Sequence, residues 1–225
     1  MNTELKSNDQ GFSLVELIVA VLITGIMFLA VSSFLGVSRT TYARVSKSTS
    51  LQEESLTLER VLSETLKEAV KIGTVRNASA KLGKDCDILW VSTVLNDNTV
   101  TKNADGSDIQ TGKYVTYFFV LDKEAKEVRY CYNQDVIDDT GAITDAGYTV
   151  IKNKCLGTDK KYWFVAKHVK SMFYPLADDG TGDAIKKIAR DDGTYLICLD
   201  LEYSYSGTDT DQSNTLTVVT RNPLK

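Results

Sequence analysis

Two prolines, Pro175 and Pro223, and one histidine, His168, are all that the chain has of these types. The missing prolines matter first: residues 38–72 contain neither Pro nor Gly, so nothing there breaks a helix. The lone histidine restricts chemistry. Any Ser-His-Asp or Cys-His machinery would have to be built around His168, which shares an alternating run with Tyr162, Phe164 and Ala166 and reads as a sheet residue. No C-x-x-C pair occurs among the four cysteines, which disfavours zinc. H-E-x-x-H and a phosphate-binding glycine loop are absent as well, so the chain does not read as an enzyme. An excess of basic residues is also lacking. The formal charge is −4, which gives no support to a nucleic-acid surface.

Residues 12–37 hold no Lys, Arg, Asp or Asn, and their single charge is Glu16. At about 1.5 Å per residue this run reaches roughly 39 Å, enough to cross the hydrocarbon core of a bilayer. A carboxylate inside such a segment costs several kcal/mol unless something neutralises it, so Glu16 needs a partner and is a functional residue by default. The competing reading is a cleaved secretory signal, but that requires a basic leader, a short apolar stretch and a small-residue cleavage site. Here the leader MNTELKSNDQG sets Lys6 against Glu4 and Asp9, and nothing like A-x-A closes the run.

Beyond the apolar run, Leu51, Leu58, Val61, Leu62, Leu66, Ala69 and Val70 recur at helical spacing, and Gly73 follows Ile72 as a plausible stop. The pattern predicts one helix over residues 12–72, approximately 90 Å long, whose upper half lays Leu58, Leu62, Leu66 and Val70 on a sheet. A coiled-coil stalk is the alternative, but the stripe is short for sustained heptads. From Cys86 onward, β-branched and aromatic runs alternate with Gly, Asn and Asp clusters, which predicts strands at 87–95, 113–121, 127–133, 148–152, 162–174, 194–204 and 215–221. The expected organisation is a leader at 1–11, a membrane half-helix at 12–37, an amphipathic half-helix at 38–72 and a β-rich head at 73–225, an α+β architecture.

The junction G-F-S-L-V-E followed by an apolar helix resembles the export signal of type IV prepilins and type II secretion pseudopilins. That resemblance implies a pilin-like fold and cleavage after Gly11 by a membrane aspartic protease, the prepilin peptidase. It also implies methylation of the new amino terminus at Phe12, and pairing of Glu16 with the terminal amine of a neighbouring subunit. The partners it implies are that peptidase, other pilin subunits and a membrane assembly platform. The protein would begin as a single-pass membrane protein and end in a surface filament. Two features depart from the family pattern. Many major pilins kink this helix with a proline, and none stands here before Pro175. Lys6 is the only basic residue before the span whereas Arg39, Arg44 and Lys47 follow it, which by loop charge alone favours the opposite orientation.

The stretch 162–174, the run LICLDLEYSYSG and the closing TLTVVTRNP are similar to the last part of J-type minor pseudopilins and related minor pilins of Gram-positive bacteria. This implies a minor, tip-located subunit. A major pilin is the second structural reading, and a tip adhesin or an anchored receptor that never polymerises is the alternative from a different class.

Cys86, Cys131, Cys155 and Cys198 all fall on the expected external side, where disulfides persist. Cys131 and Cys155 bracket a polar loop and form the first candidate bridge; Cys86 and Cys198 form the second, or are buried thiols packing as small hydrophobes. Major pseudopilins hold calcium in a C-terminal loop, which makes Asp178, Asp179 and Asp183 calcium candidates, although solvated turns explain such clusters as well and no cofactor is otherwise indicated. Asn77-Ala78-Ser79 fits a glycosylation sequon, a short pattern of little specificity.

Overall fold

The computed structural model describes residues 13–94, 113–157, 164–175, 183–205 and 211–224. It forms two compact units, Met1–Lys47 and Ser48–Lys225. The described part of the first unit is the beginning of helix α1 (Leu14–Lys67), where every residue from Ser13 to Leu35 is exposed.

In the second unit, α1 buries Leu51, Ser55, Leu58, Leu62 and Leu66, spaced three or four residues apart on one face. The four leucines have no accessible surface, and each contributes about 1.5–3 kcal/mol of apolar burial. They pack with Leu89, Phe119, Leu121, Ile197, Leu199 and Leu201 in the main core. Polar contacts fix the rotation of the helix on the head. Asn214 Nδ2 donates to Ser55 Oγ and Glu59 Oε1, both at 2.8 Å, and the Lys167 N–H donates to Glu54 Oε2 at 2.7 Å.

The helix ends at Lys67, short of the expected Ile72. Residues Ala69–Val75 instead form strand β1, pairing antiparallel with β2 (Cys86–Val94), so Val70 is buried in a strand and does not extend the helical stripe. Gly73 is no helix stop either, since it lies mid-strand opposite Trp90. The last carbonyls of the helix are met by the end of the chain: the Arg221 N–H donates to Lys67 O at 2.7 Å and Asn222 Nδ2 to Glu68 O at 3.3 Å.

A short helix α2 (Ser79–Leu82) links β1 to β2. The first sheet continues through β3 (Tyr114–Asp122), β4 (Glu127–Gln134) and β5 (Phe164–Ala166), in the order β1-β2-β3-β4-β5 with every pair antiparallel. Strand β2 is buried along all but its last residue because both its faces are covered. Leu89 and Val91 point into the main core, while Ile88 and Trp90 join Phe118, Val120 and Cys131 in a second cluster on the opposite face. Within this dry sheet the polar pair Ser92 and Thr116 is in register and hydrogen-bonded at 2.8 Å.

The second cluster is roofed by residues 135–156. The expected strand at 148–152 is instead helix α3 (Asp145–Val150) running into a π-helical turn (Ile151–Cys155). Local capping overrides the β-branched composition here: Thr144 is the N-cap, accepting from the Gly147 N–H at 3.2 Å, with Asp145 in the first turn.

The expected strand at 162–174 is cut in two by His168, which adopts φ 59°. On one side β5 pairs with β4 in the first sheet; on the other, β6 (Val169–Ser171) pairs with β8 (Tyr195–Ser204) in the second. His168 is therefore the point where the chain changes sheets. Its carbonyl accepts from the Ser204 N–H at 2.7 Å, and its ring stacks on Tyr205 at 4.3 Å between centroids. The second sheet is completed by β7 (Lys186–Ala189) and β9 (Asp211–Val219), both antiparallel to β8. A long N-terminal helix and an antiparallel β head make this an α+β pilin-type architecture.

Candidate functional site

Ser13 opens α1, and two side-chain hydrogen bonds shape its first turn. Ser13 Oγ accepts from the Val15 N–H at 3.2 Å, and Glu16 Oε2 accepts from the Ser13 N–H at 3.0 Å. This is a variant of the S-x-x-E capping box, with the Ser13 hydroxyl on the second helical N–H, and in it two N–H groups that no helical carbonyl reaches are satisfied by side chains. The positive end of the helix dipole lies at the same place and favours the carboxylate.

Magnitudes separate what the box does from what it leaves undone. A cap is worth about 1 kcal/mol, whereas a carboxylate within hydrocarbon costs several. The box alone does not offset that cost. Gly11 and Phe12, the expected cleavage and methylation positions, lie outside the described residues.

From Leu14 to Val37 the helix presents apolar side chains on all sides, with Leu14, Phe28 and Leu29 exposed by 75, 72 and 71%. An apolar surface of this extent is stable only in lipid or against other protein. The length suits lipid: 24 residues at about 1.5 Å give roughly 36 Å. The hydroxyl of Thr24, within this segment, is satisfied locally. Thr24 Oγ1 donates back to Ala20 O at 2.7 Å, and beyond the apolar run Thr40 Oγ1 donates to Val37 O at 2.8 Å. Leu17, Ala20, Val21, Thr24, Gly25 and Phe28 line a shallow groove, with nothing but its chain neighbours and the helix's own backbone within 4 Å of the position a Gly25 side chain would take.

The other sequence candidates distribute as follows. Cys131 on β4 and Cys155 at the end of the π-helical turn come together, their sulfurs 2.9 Å apart and both buried. Cys86 and Cys198 do not. Cys86 belongs to the outer cluster on the first sheet; Cys198 lies on β8, on the opposite parity to the core residues Ile197, Leu199 and Leu201, and accepts from Thr217 Oγ1 at 3.8 Å. Burial, and after it the nearby Asp122 carboxylate, push the Cys86 thiol up to about 12. Asp178 and Asp179 lie outside the described residues, and no cluster of three metal-ligating side chains occurs among those that are described; Asp183 is exposed. Asn77 is exposed in a left-handed turn, φ 51°, where its N–H donates to Asp87 Oδ1 at 3.0 Å and its side-chain oxygen accepts from Lys123.

The capping box was missed in the sequence, although its signal is plain: Ser13 stands three residues before Glu16 at the edge of an apolar run. The sequence marks Glu16 instead as a charge within the apolar run and, through the prepilin resemblance, as the partner of a neighbour's amine.

Residues 6–32 match the family model of the prokaryotic N-terminal methylation motif. The chain carries a prepilin-type amino terminus. The match takes in Gly11, the five residues before it and most of the exposed apolar helix, and it stops short of the head. No curated protein matches the chain, and no solved structure does. The motif supports a pilin- or pseudopilin-type subunit, and the first helix is long and apolar enough to cross a membrane; the motif implies processing by a prepilin peptidase and assembly with other pilin subunits.

Proposed function

We propose that this protein is a minor pilin-type subunit, cut after Gly11, methylated on Phe12 and polymerised through the first half of α1 into a type IV pilus or a type II secretion or competence-type pseudopilus. The observation that carries the reading is the methylation motif lying on a helix whose apolar half is wholly uncovered. Cleavage after Gly11 puts a new amine four residues from Glu16, so the subunit holds both members of a charge pair. Its own Glu16 stays at the capped first turn while the amine of a neighbour supplies the missing charge. Pairing between subunits sets their axial register, and helix extraction from the bilayer replaces lipid contacts with helix–helix contacts. The head has no catalytic part in this role.

A tip position, as opposed to repetition along the shaft, is supported by the two-sheet head, larger than the smallest repeating subunits need, and by the resemblance of the closing strands to J-type subunits. The cleavage motif implies that the head is external, against the charge of Arg39 and Arg44. Mass spectrometry of the mature amino terminus tests the central step. A chain beginning at Phe12 and carrying one extra methyl group is the expected result, whereas a surface protein that retains residues 1–11 would overturn it.

A further inference from the structure

Cys131 sits mid-strand on β4, opposite Phe118, with its side chain in the outer cluster. Cys155 ends the π-helical turn, and that turn places Ile151 and Cys155 both inward against the first sheet. Arg129, two residues before Cys131 on β4, donates through Nη1 to the Cys155 carbonyl at 3.2 Å and so holds the turn on the strand. The sulfurs stand 2.9 Å apart, within about 1 Å of the ~2.05 Å covalent bond.

We propose that Cys131 and Cys155 form the single disulfide of this protein, closed outside the membrane as residues 135–156 fold down over the first sheet, while Cys86 and Cys198 remain thiols. The external location rests on the pilin-type reading above. The rest stands on geometry. Only this pair has its sulfurs together, and Cys86 and Cys198 lie on separate sheets.

The step is thiol–disulfide exchange. One cysteine thiolate attacks an external disulfide, either a small-molecule disulfide or that of an exchange protein, and expels one thiol. The second cysteine then attacks the mixed disulfide and expels the other. The two cysteines lose two protons and two electrons, and one external disulfide becomes two thiols.

The order of events follows from burial. In the folded protein Cys131 and Cys155 are 0 and 1% exposed, beyond the reach of any exchange partner. The contact with Cys131, with burial second, also raises the Cys155 thiol well above its ordinary value, which suppresses the attacking thiolate once the segment is down. The mixed disulfide therefore forms before the segment is down, and the second exchange accompanies closure. The closed loop spans 24 residues, so it restricts a substantial part of the unfolded chain.

The test uses the full chain in detergent, reduced and then oxidised with a mixture of reduced and oxidised glutathione during refolding. Alkylation in denaturant and peptide mapping follow. The expected result is labelling at Cys86 and Cys198 alone, with Cys131 and Cys155 labelled only after reduction. Four labelled cysteines, or a bridge mapped to Cys86 or Cys198, would overturn the proposal. Thermal unfolding supplies a second arm. Cys131→Ser, Cys155→Ser and the double variant should each lower Tm by the same ~5–10 °C, and reductant should not lower it further; additive losses in the double variant would sink the bridge. Peptide mapping of surface-isolated protein separates the two readings. A mature Phe12 terminus with four thiols refutes the bridge and leaves the filament reading intact, and a retained leader with an intact bridge does the reverse.

Discussion

Gly73 on β1 pairs directly with Trp90 on β2, and the indole fills the space where a side chain on residue 73 would stand. A Cβ there would come 2.5 Å from Trp90 Cε2 and 2.7 Å from Nε1. The indole is 5% exposed and anchors the outer cluster, so it has little room to retreat. Gly73→Ala is expected to cost about 1–3 kcal/mol by overpacking, and Gly73→Val more. Denaturant unfolding of the full chain in detergent measures this; an unchanged midpoint for Gly73→Val would mean that the indole does not occupy that space.

His168 holds a left-handed backbone that non-glycine residues adopt at a cost, and it does so where the chain leaves one sheet for the other. Glycine there removes the strain and loses the ring stacked on Tyr205, so His168→Gly should lie within about 1 kcal/mol of the parent. His168→Val cannot take the conformation cheaply and should lose about 1–3 kcal/mol. Equal stability of the two variants would refute a backbone role for this position.

Lys123 reaches the buried Asp87 at 3.0 Å and Asp85 at 3.3 Å. Burial pulls its ammonium down, but the hydrogen bonds and charges of Asp87 and Asp85 outweigh it and leave the group raised. A raised lysine binds its proton more tightly when folded. Its contribution is complete below the ordinary lysine value of about 10.4 and is lost as pH rises through the folded value. Asp87→Asn should therefore remove part of the stability at neutral pH and flatten the decline above pH ~10. An alkaline decline that is identical in the variant would assign it to other groups.

Cys86 is buried, and its thiol is raised to about 12, so the reactive thiolate is scarce at mild pH. In the native chain near pH 8, a thiol reagent should modify the half-buried Cys198 well before Cys86, and denaturation should equalise the two. Time-resolved peptide labelling decides this, and faster modification of native Cys86 would contradict its placement.

What the sequence could and could not disclose divides along physical lines. The strands at 87–95, 113–121, 127–133 and 194–204 were legible because apolar and β-branched runs bounded by turn residues leave few other choices. The apolar helix was legible from length alone. The end of α1 was not, because Ala69, Val70 and Ile72 continue the helical spacing, and only pairing with β2 and the seat of Trp90 over Gly73 make them a strand. Residues 148–152 carry β-branched side chains, but Thr144 caps a helix before them. The break at His168 leaves no trace in composition, since it depends on which sheet each flanking segment joins. The proximity of Cys131 and Cys155 was suggested by the loop they bracket, and the separation of Cys86 from Cys198 follows from a sheet order that spacing does not encode.

Glu16 has two roles, as an acceptor in the capping box and as a negative charge within an apolar helix, and one pair of substitutions separates them. Glutamine at this third helical position still accepts from the Ser13 N–H, so Glu16→Gln keeps the box and removes the charge, while Glu16→Ala removes both. Ser13→Ala takes away only the acceptor for the Val15 N–H, at a cost of about 1 kcal/mol in the first turn. If assembly depends on pairing with a neighbour's amine, Glu16→Gln and Glu16→Ala should both abolish incorporation into sheared surface filaments, and Ser13→Ala should reduce it only modestly. Cleavage after Gly11, followed in the same cells by mass spectrometry, reports whether each variant still reaches the peptidase. Wild-type incorporation of Glu16→Gln would show that the carboxylate serves the helix terminus alone, and the intersubunit charge pair would have to be abandoned.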